Sequence, residues 1–597
     1  MSWEETDLKH PKPRVFISYA RSDGETFAGK LRERLTQEEP EITLWQDRTG
    51  MEGGVGWWRQ ITRALDAVQF LVLVMTPAAI ASPMVQQEWR YARQQGVCIY
   101  PVLGLPGDEM DFAHLPRWMQ RVHCFNLEKE WQTFVNYLKS PCRASRVAFM
   151  APDLPESFVP RPDTFQPVLD ALVSISGQPV ALTTSLQGAG GLGKTTLAIA
   201  LCHSDRVVEA FDDGVLWVTL GKEPKLLEAV SKLYRALTGQ APDFVDLEDA
   251  EYRFSNALEA KNCLLVIDDA WQASDLKPFL RGGKGCARLI TSRIADVARG
   301  ATAFPVDEMS LTEAVTLLQG RLPSSHVDKQ RFRSLARRLG EWPLLLELAN
   351  AQLRRRIEKG DTLEGALDYL HQKLRHQGIV AFDVRRATDR QEAISRSIEL
   401  SLELLDVDEQ AAFIRMALFP EDVDIPLEIV QALWGLDSFA ATELAELLDD
   451  MSLSRFSAQT AILRLHDVIR AYLETRLEAG QEQHASLADL LDTPSLSETE
   501  YAWHWLPYHL IQAGRRHELR RRLLDINWLG AKLRNTSVSA MVEDFDYLAD
   551  EQDLQRLQEA IKLANPVISR DPEQLPSQLA ARLIPLDGNE SGNALRR

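Results

Sequence analysis

The sequence predicts a multidomain α/β protein with an all-α segment near its C-terminal end. At about 150 residues per domain, a chain of 597 residues is long enough for roughly four domains. Strand-like and helix-like stretches alternate through its first half, which is typical of parallel sheets covered by helices. The third observation is a glycine-rich loop that lies between a strand-like and a helix-like stretch.

That loop, residues 188–196, fits the pattern G-x-x-x-x-G-K-[ST] in full. It follows an apolar strand and opens an apolar helix, which is the context that a phosphate-binding loop requires. Its backbone N–H groups and the helix N-terminus favour phosphate. We expect Lys194 to reach the β- and γ-phosphates and Thr195 to ligate Mg²⁺. The expected nucleotide contacts in the loop are Gly188, Gly190, Gly191, Gly193, Lys194, Thr195 and Thr196.

Two later strands carry polar residues that suit the same site. Residues 263–269 form an apolar run that ends in Asp268 and Asp269. We expect Asp268 to lie on the Mg²⁺ side and Asp269 to activate water; the alternative is a strand that ends in a solvated turn. Residues 287–293 end in Arg293, which is either a sensor of the γ-phosphate or a surface residue.

Composition and charge exclude several classes of protein. Hydrophobic residues make up 45% of the chain and charged residues 26%, as in globular domains. The net charge of −19 argues against nucleic acid or an anionic membrane as the main partner. With no signal-peptide pattern and no apolar run that could span a bilayer, we expect a cytoplasmic protein. The six cysteines lack a C-x-x-C pair and are expected to be buried free thiols.

Three sequence boxes in the first domain, at residues 15–23, 45–47 and 82–89, resemble those of a Toll/interleukin-1 receptor (TIR) domain. The resemblance implies a flavodoxin-like domain over residues 14–140 in which Glu88 is catalytic for NAD⁺ cleavage. A carboxylate there would stabilise the positive charge that develops on the ribose. The resemblance also places Tyr19, Arg21, Glu52 and Ser82 at the NAD⁺ cleft. The alternative is a solvated Glu88 in a TIR domain that serves only as a scaffold.

The order of the later motifs resembles the NB-ARC module of signal-transduction ATPases with numerous domains (STAND), the class of plant immune receptors and apoptotic protease-activating factors. Residues 341–346 match its Gly-Leu-Pro-Leu motif with Trp342 in place of Leu, and residues 418–422 and 465–468 match its winged-helix landmarks. The resemblance implies a P-loop NTPase domain followed by helical and winged-helix ARC domains. It places Val159 and Arg161 among the nucleotide contacts, Pro343 on adenine and His466 on the ADP β-phosphate.

The predicted domain order follows from these matches. It comprises a lead-in (1–13), a TIR domain (14–140), a linker (141–157), a nucleotide-binding domain (158–303), helical ARC1 (304–380), winged-helix ARC2 (381–480), a helical segment (481–586) and a tail (587–597). No repeat period marks a sensor, so we expect a sensor region to be short or absent. The basic run 515–522 is either a solvated helix face or a nucleic-acid contact.

The predicted function is an ADP/ATP-switched, NLR-like signalling or defence protein, for example against phage. Oligomerisation through the NB-ARC and TIR domains would bring TIR domains together to hydrolyse NAD⁺, while the NB-ARC module hydrolyses ATP slowly. The cofactors implied are ADP or ATP with Mg²⁺, and the trigger is not identified by the sequence. Two alternatives stay open: a non-catalytic TIR scaffold under the same switch, and a nucleotide-gated DNA-binding regulator.

Overall fold

The computed structural model describes residues 14–45, 57–104, 115, 118–142, 146–174, 179–183, 190–298, 300–323, 329–376, 387–421 and 423–583. The chain divides into two compact units. The first holds residues 1–150, 204–216 and 262–264, and the second holds 151–203, 217–261 and 265–597. The predicted positions Gly188 and Glu52 lie outside the described residues.

The N-terminal domain is the predicted α/β alternation. Its elements are β1 (Arg14–Ser18), α1 (Glu25–Glu38), β2 (Thr43–Trp45), α2 (Trp57–Asp66), β3 (Phe70–Met75), α3 (Pro77–Ala81), α4 (Pro83–Gln95), β4 (Cys98–Leu103), α5 (Trp131–Lys139) and β5 (Ala148–Phe149). The sheet has the order β2-β1-β3-β4 and its pairs are parallel. This is the flavodoxin-like order, in which ligands bind beyond the carboxyl ends of the strands. The predicted fold class is confirmed here.

Side chains of β1 alternate between two apolar clusters, as the period of two residues in a strand requires. Val15 and Ile17 face a cluster with α1 and α5. Phe16 faces the other cluster, which includes Val85 and Trp89 of α4. The next residue on the Phe16 side is Ser18, the last residue of β1. The strand thus directs one buried hydroxyl group toward α4.

The cysteine prediction was wrong for two of the six residues. Cys98 at the start of β4 and Cys142 after α5 form a disulfide, with Cα atoms 5.7 Å apart. They are separated by 44 positions in sequence, so no short spacing motif marked them. Cys202, Cys263 and Cys286 are buried free thiols as predicted, whereas the free Cys124 is only partly buried.

A second α/β region carries the phosphate-binding loop. Its elements are α6 (Pro162–Val173), β6 (Val180–Thr183), α7 (Lys194–Cys202), α8 (Asp205–Ala210), β7 (Gly214–Gly221), α9 (Leu226–Thr238), α10 (Leu247–Leu258), β8 (Leu264–Ala270), α11 (Lys277–Leu280), β9 (Ala287–Ser292) and β10 (Thr302–Pro305). The strand order is β10-β6-β9-β8-β7. Strand β5, inside the segment predicted as a linker, pairs with Gly214 and Val215 of β7.

Helices follow this sheet and enclose a small antiparallel one. The first group is α12 (Leu311–Gln319), α13 (Lys329–Arg338), α14 (Pro343–Glu358) and α15 (Leu363–His376). The second is α16 (Ala387–Leu402), α17 (Val407–Ile414), β11 (Ile425–Pro426), α18 (Leu427–Trp434), α19 (Ser438–Asp450), β12 (Arg455–Ser457), β13 (Ile462–Arg464) and α20 (Asp467–Glu474). The three strands have the order β11-β13-β12. A three-stranded sheet among helices confirms the predicted winged helix.

The remaining described chain is helical, as predicted. It contains α21 (Gly480–Leu491), α22 (Glu500–Gln512), α23 (Arg516–Leu523), α24 (Ile526–Asn535), α25 (Val538–Asp546), α26 (Gln552–Ile568) and α27 (Leu575–Leu583). Lys532 of α24 and Asp544 of α25 form an ion pair with both side chains fully buried. Among the described residues, no helix combines the length and the apolarity needed to cross a membrane.

Four arginines of the basic run 515–522 form ion pairs with acids outside the run. Arg515 and Arg522 each make two hydrogen bonds to an aspartate, Asp489 and Asp492 respectively. Arg516 pairs with Asp550 and Arg520 with Glu551. These contacts favour the solvated, salt-bridged helix face over a cationic surface for nucleic acid.

Candidate functional site

The acid at the end of β8 is held by two hydroxyl groups. Asp268 is 4% exposed, and its Oδ1 accepts hydrogen bonds from Thr291 Oγ1 at 2.6 Å and from Thr195 Oγ1 at 2.9 Å. Burial raises the pKa of Asp268 to about 6, against the lowering effect of Thr291. The structure therefore brings together Thr195 and Asp268, the two predicted Mg²⁺ ligands.

The neighbouring acid adopts an unusual backbone conformation. Asp269 has a φ of 51°, in the left-handed region that non-glycine residues rarely occupy. Its Oδ1 accepts from Arg293 Nε at 3.2 Å, and its Oδ2 accepts from Trp271 Nε1 at 2.8 Å. The water-activating role of Asp269 stays a prediction, since both carboxylate oxygens have partners here.

Arg293 connects two parts of the second unit. Besides Asp269, its guanidinium pairs with Asp467, the first residue of α20 in the winged helix. The Arg293 side chain is 15% exposed and that of Asp467 is 12% exposed. Arg293 is thus a partly buried bridge and not the surface residue of the alternative interpretation.

Lys194 begins α7 directly after Gly193, whose φ is 86°. The lysine is 7% exposed. Burial, followed by the nearby Arg293 charge, lowers the pKa of Lys194 to about 8, while Asp269 and Asp268 oppose the shift. A buried ammonium group among acids at a helix N-terminus suits a phosphate ligand.

The carbonyl groups of the loop are held by donors from outside it. Trp342 Nε1 donates to the Gly190 carbonyl at 3.1 Å, and the Leu344 N–H donates to the Gly191 carbonyl at 3.3 Å. Arg161 donates to the Leu192 carbonyl at 3.1 Å. The loop is thus fixed by the segment that precedes it and by the start of α14.

Arg161 was predicted as a nucleotide contact, but in the structure its guanidinium donates hydrogen bonds to backbone carbonyls of the protein. Besides Leu192, it donates to the carbonyls of Asp307 and Glu308, each at 3.0 Å. Its Nε lies 3.6 Å from Oε2 of Glu313. A direct contact from Arg161 to the nucleotide stays a prediction, and the observed role is to hold backbone.

The other predicted nucleotide contacts lie at starts of helices or beside them. His466 precedes α20 and its Nδ1 accepts the Val468 N–H at 3.2 Å. Desolvation, then the charges of Arg293, Arg455 and Lys194, lower the pKa of His466 to about 3. Pro343 is buried as the first residue of α14, and Val159 packs against the large apolar cluster of the second unit. Their nucleotide contacts stay predictions.

The candidate NAD⁺ site contains a buried acid on α4. Glu88 is 7% exposed, and its Oε2 accepts a hydrogen bond from Ser18 Oγ at 2.6 Å. The solvated glutamate of the alternative interpretation does not describe this side chain. Two of its neighbours along α4, Val85 and Trp89, lie in the apolar cluster that faces β1.

The other predicted NAD⁺ residues are distributed differently. Tyr19 is half-buried against the cluster on the opposite side of the sheet from α4, and Arg21 is exposed. Ser82 caps α4, accepting the Val85 N–H at 3.4 Å. Contacts of Tyr19, Arg21 and Ser82 with NAD⁺ stay predictions.

Four side chains of these sites were not predicted. Ser18 holds Glu88, Thr291 holds Asp268, Trp271 donates to Asp269, and Asp467 pairs with Arg293. Thr291 could have been found, because strand alternation places it on the same face as the predicted Arg293. Ser18 could have been found in the same way, because strand alternation places it on the same side of β1 as Phe16, which faces the α4 cluster.

Comparison with known families matches three segments in order. Residues 15–136 match the TIR domain, residues 162–320 match the NB-ARC domain, and residues 465–580 match the APAF-1 helical domain. The three matches follow one another in the order TIR, NB-ARC and APAF-1 helical domain, and the domain bounds given by the sequence motifs stay a prediction.

Three curated relatives match between 42% and 66% of this chain. The regulatory protein AfsR of Streptomyces coelicolor is 31% identical over 341 residues, 53% of this chain and 32% of its own length. Apoptotic protease-activating factor 1 of Danio rerio is 24% identical over 430 residues, covering 66% and 32%. Disease resistance protein ADR1 of Arabidopsis thaliana is 27% identical over 256 residues, covering 42% and 28%. The chain thus spans about a third of the length of these relatives.

Proposed function

Because the chain is an NLR-like protein that joins a TIR domain to an NB-ARC domain and an APAF-1 helical domain, we propose that it is a nucleotide-controlled signalling protein of defence. In this proposal, ADP or ATP in the NB-ARC domain sets a switch, and the switch controls NAD⁺ hydrolysis by the TIR domain. The observation that carries the nucleotide part is the 2.9 Å contact between Thr195 and Asp268 beside the buried Lys194.

The residues present fit Mg²⁺ and a nucleoside polyphosphate. Thr195 and Asp268 offer adjacent oxygen atoms, the ligands that Mg²⁺ prefers. When bound, Mg²⁺ would neutralise charge on the phosphate oxygens. Lys194 supplies a point charge for the terminal phosphates, and the raised pKa of Asp268 reflects a buried carboxyl group that a cation would stabilise in its ionised form.

The switch is proposed to act through Arg293. This residue binds Asp269 of the nucleotide domain and Asp467 of the winged helix at the same time. A γ-phosphate would compete with both acids for one guanidinium, whereas ADP offers no such group. ATP would therefore weaken the link to α20, and a ligand that binds one state better shifts the population toward it. Released protomers would self-associate, which would bring TIR domains together.

The catalytic part of the proposal rests on Glu88. Hydrolysis breaks the bond between the nicotinamide nitrogen and the anomeric carbon of ribose, and the electron pair leaves with nicotinamide. The ribose then carries positive charge, which a carboxylate close to the ring would stabilise. Water adds to the anomeric carbon, giving ADP-ribose and a proton. A buried carboxylate on a hydroxyl donor suits this task better than a surface glutamate does.

The test is release of nicotinamide from NAD⁺ by the purified chain, with molecules clustered at high concentration. We expect Glu88→Ala to abolish release, and Glu33→Ala, at an exposed position of α1, to leave it unchanged. Lys194→Ala should alter release, because it removes the nucleotide switch. No release from the unmodified, clustered chain would overturn the NAD⁺ part and favour the scaffold.

A further inference from the structure

The phosphate-binding loop has three consecutive carbonyl groups that all accept hydrogen bonds from other segments. The acceptors are the carbonyls of Gly190, Gly191 and Leu192. The donors are the Trp342 indole, the Leu344 backbone N–H and the Arg161 guanidinium. We call these three donors the carbonyl clamp. The bonds from Trp342 and Arg161 are buried.

The clamp determines where the loop N–H groups point. A trans peptide is planar, so its C=O and its N–H point in opposite directions. Fixing the carbonyls of Gly190, Gly191 and Leu192 turns the N–H groups of Gly191, Leu192 and Gly193 away from the clamp. Successive N–H groups that are arranged in this way form an anion-binding concavity.

The space around the loop shows that the clamp fits closely. A Cβ atom added at Gly191 would lie 2.9 Å from Leu344 Cβ and 3.1 Å from Trp342 Nε1. Gly191 also has a φ of 73°, which a larger residue would resist. The bare backbone of Gly191 is therefore what lets the start of α14 approach the loop.

We propose that Trp342 and Arg161 are positioning residues for the phosphates, and that Trp342 couples nucleotide binding to the seating of α14. This inference rests on the proposed nucleotide binding. If α14 moved away from the loop, Trp342 and Leu344 would leave two carbonyls without these donors, and the N–H groups would lose their common direction. By reciprocity, a nucleotide that uses those N–H groups stabilises α14 against the loop.

The chain offers a matched control for the tryptophan. Trp434 is also buried and also donates its indole N–H to a backbone carbonyl, that of Ala412 at 2.8 Å, but in the winged helix. Replacing Trp342 or Trp434 by Phe removes one indole hydrogen bond in each case and keeps an aromatic ring. Either change should lower the stability of the chain, since each removes one buried hydrogen bond. The carbonyl clamp predicts that Trp342→Phe alone weakens nucleotide binding.

The experiment measures ADP and adenosine binding to the purified full chain by competition with a fluorescent ADP. We expect Trp342→Phe to weaken ADP binding about tenfold, which is the effect of losing about one hydrogen bond. The affinity for adenosine should stay within about twofold of that of the unmodified chain. Arg161→Lys should weaken ADP in the same selective way, and it serves as a second variant if Trp342→Phe does not fold. Trp434→Phe should change neither ligand.

Three results would overturn the inference. The first is unchanged ADP affinity in a folded Trp342→Phe chain, and the second is an equal loss of ADP and adenosine, which would point to the base pocket. The third is absence of ADP binding to the unmodified chain, which would overturn the nucleotide proposal as well. Hydrogen exchange adds an independent readout, because ADP should slow exchange of the Leu344 amide in the unmodified chain more than in Trp342→Phe.

Discussion

Glu88 and Asp268 are both buried acids that accept a hydrogen bond from a hydroxyl group, yet their surroundings differ. Asp268 lies among charged groups, because Asp269 and Lys194 are both close enough to interact electrostatically with its carboxylate. Glu88 is held by Ser18 on a helix whose neighbouring buried residues are apolar.

The difference separates two uses of a carboxylate. Around Asp268, opposite charges and hydroxyl groups are already matched, so a cation and a phosphate can enter a prearranged network. Around Glu88, the buried neighbours on α4 are apolar, and a hydroxyl group donates a hydrogen bond to Oε2. In the proposed NAD⁺ hydrolysis this carboxylate would face a positive centre that develops during reaction, so binding and catalysis would place different demands on the residues nearest to the acid.

The largest expected effect concerns the hydroxyl that holds Asp268. Thr291→Val removes the 2.6 Å hydrogen bond while keeping the shape of the side chain. Loss of such a supporting bond typically lowers metal affinity 10- to 100-fold. Titration of ADP binding with Mg²⁺ measures the effect, and Thr291→Ser, which keeps the hydroxyl, is the control. An unchanged Mg²⁺ requirement in the Val variant would show that Thr291 does not orient the acid.

The second prediction removes the hydroxyl that holds Glu88. Ser18→Ala should lower kcat for NAD⁺ hydrolysis about tenfold, because a hydrogen bond to a charged group is lost. KM should stay within about twofold. A loss confined to KM would contradict this role for Ser18.

The third prediction is a bell-shaped pH dependence of ADP binding in Mg²⁺. Asp268 must be ionised and has a pKa of about 6, and Lys194 must be protonated and has a pKa of about 8. Affinity should therefore fall below pH 6 and above pH 8, by about tenfold one unit beyond each pKa. Lys194→Arg keeps its charge at high pH and should remove the alkaline limb. A flat profile would contradict the charged network.

The smallest expected effect lies far from both acids. Arg515→Gln and Arg522→Gln each break ion pairs on partly exposed helices, so each should lower the free energy of unfolding by less than about 1 kcal/mol. Denaturant unfolding measures this, with exposed Arg521→Gln as the control.

We also expect no salt-sensitive binding of duplex DNA by the unmodified chain. Such binding, lost in the Arg515 and Arg522 variants, would revive the DNA-binding alternative.

Much of the fold could be predicted because buried parallel strands are written as continuous apolar runs. Strand β3, with every residue buried, and β8 before its two acids are examples. The motifs also assigned Thr195 and Asp268 to one Mg²⁺ site, and the structure places their side chains 2.9 Å apart. Local patterns of this kind need no knowledge of tertiary structure.

The remaining features depend on pairs that are distant in sequence. Ser18 and Glu88 are 70 positions apart, and Trp342 and Gly190 are 152 apart. No periodicity or local spacing connects such pairs, because the sheet and helix packing create the contact. For the same reason Trp342 could be recognised as a departure from the motif, while the use of its indole N–H could not be predicted.

The buried ion pair between Lys532 and Asp544 has a consequence for how this sequence can diverge. Removing one partner leaves an uncompensated buried charge and costs about 3–5 kcal/mol, whereas replacing both by apolar residues of similar volume is often neutral. Because Lys532 also donates to the Trp503 carbonyl at 2.8 Å, that carbonyl would need a new donor. Among descendants of this chain, the two positions should therefore change together or stay fixed, and single replacements should be purged.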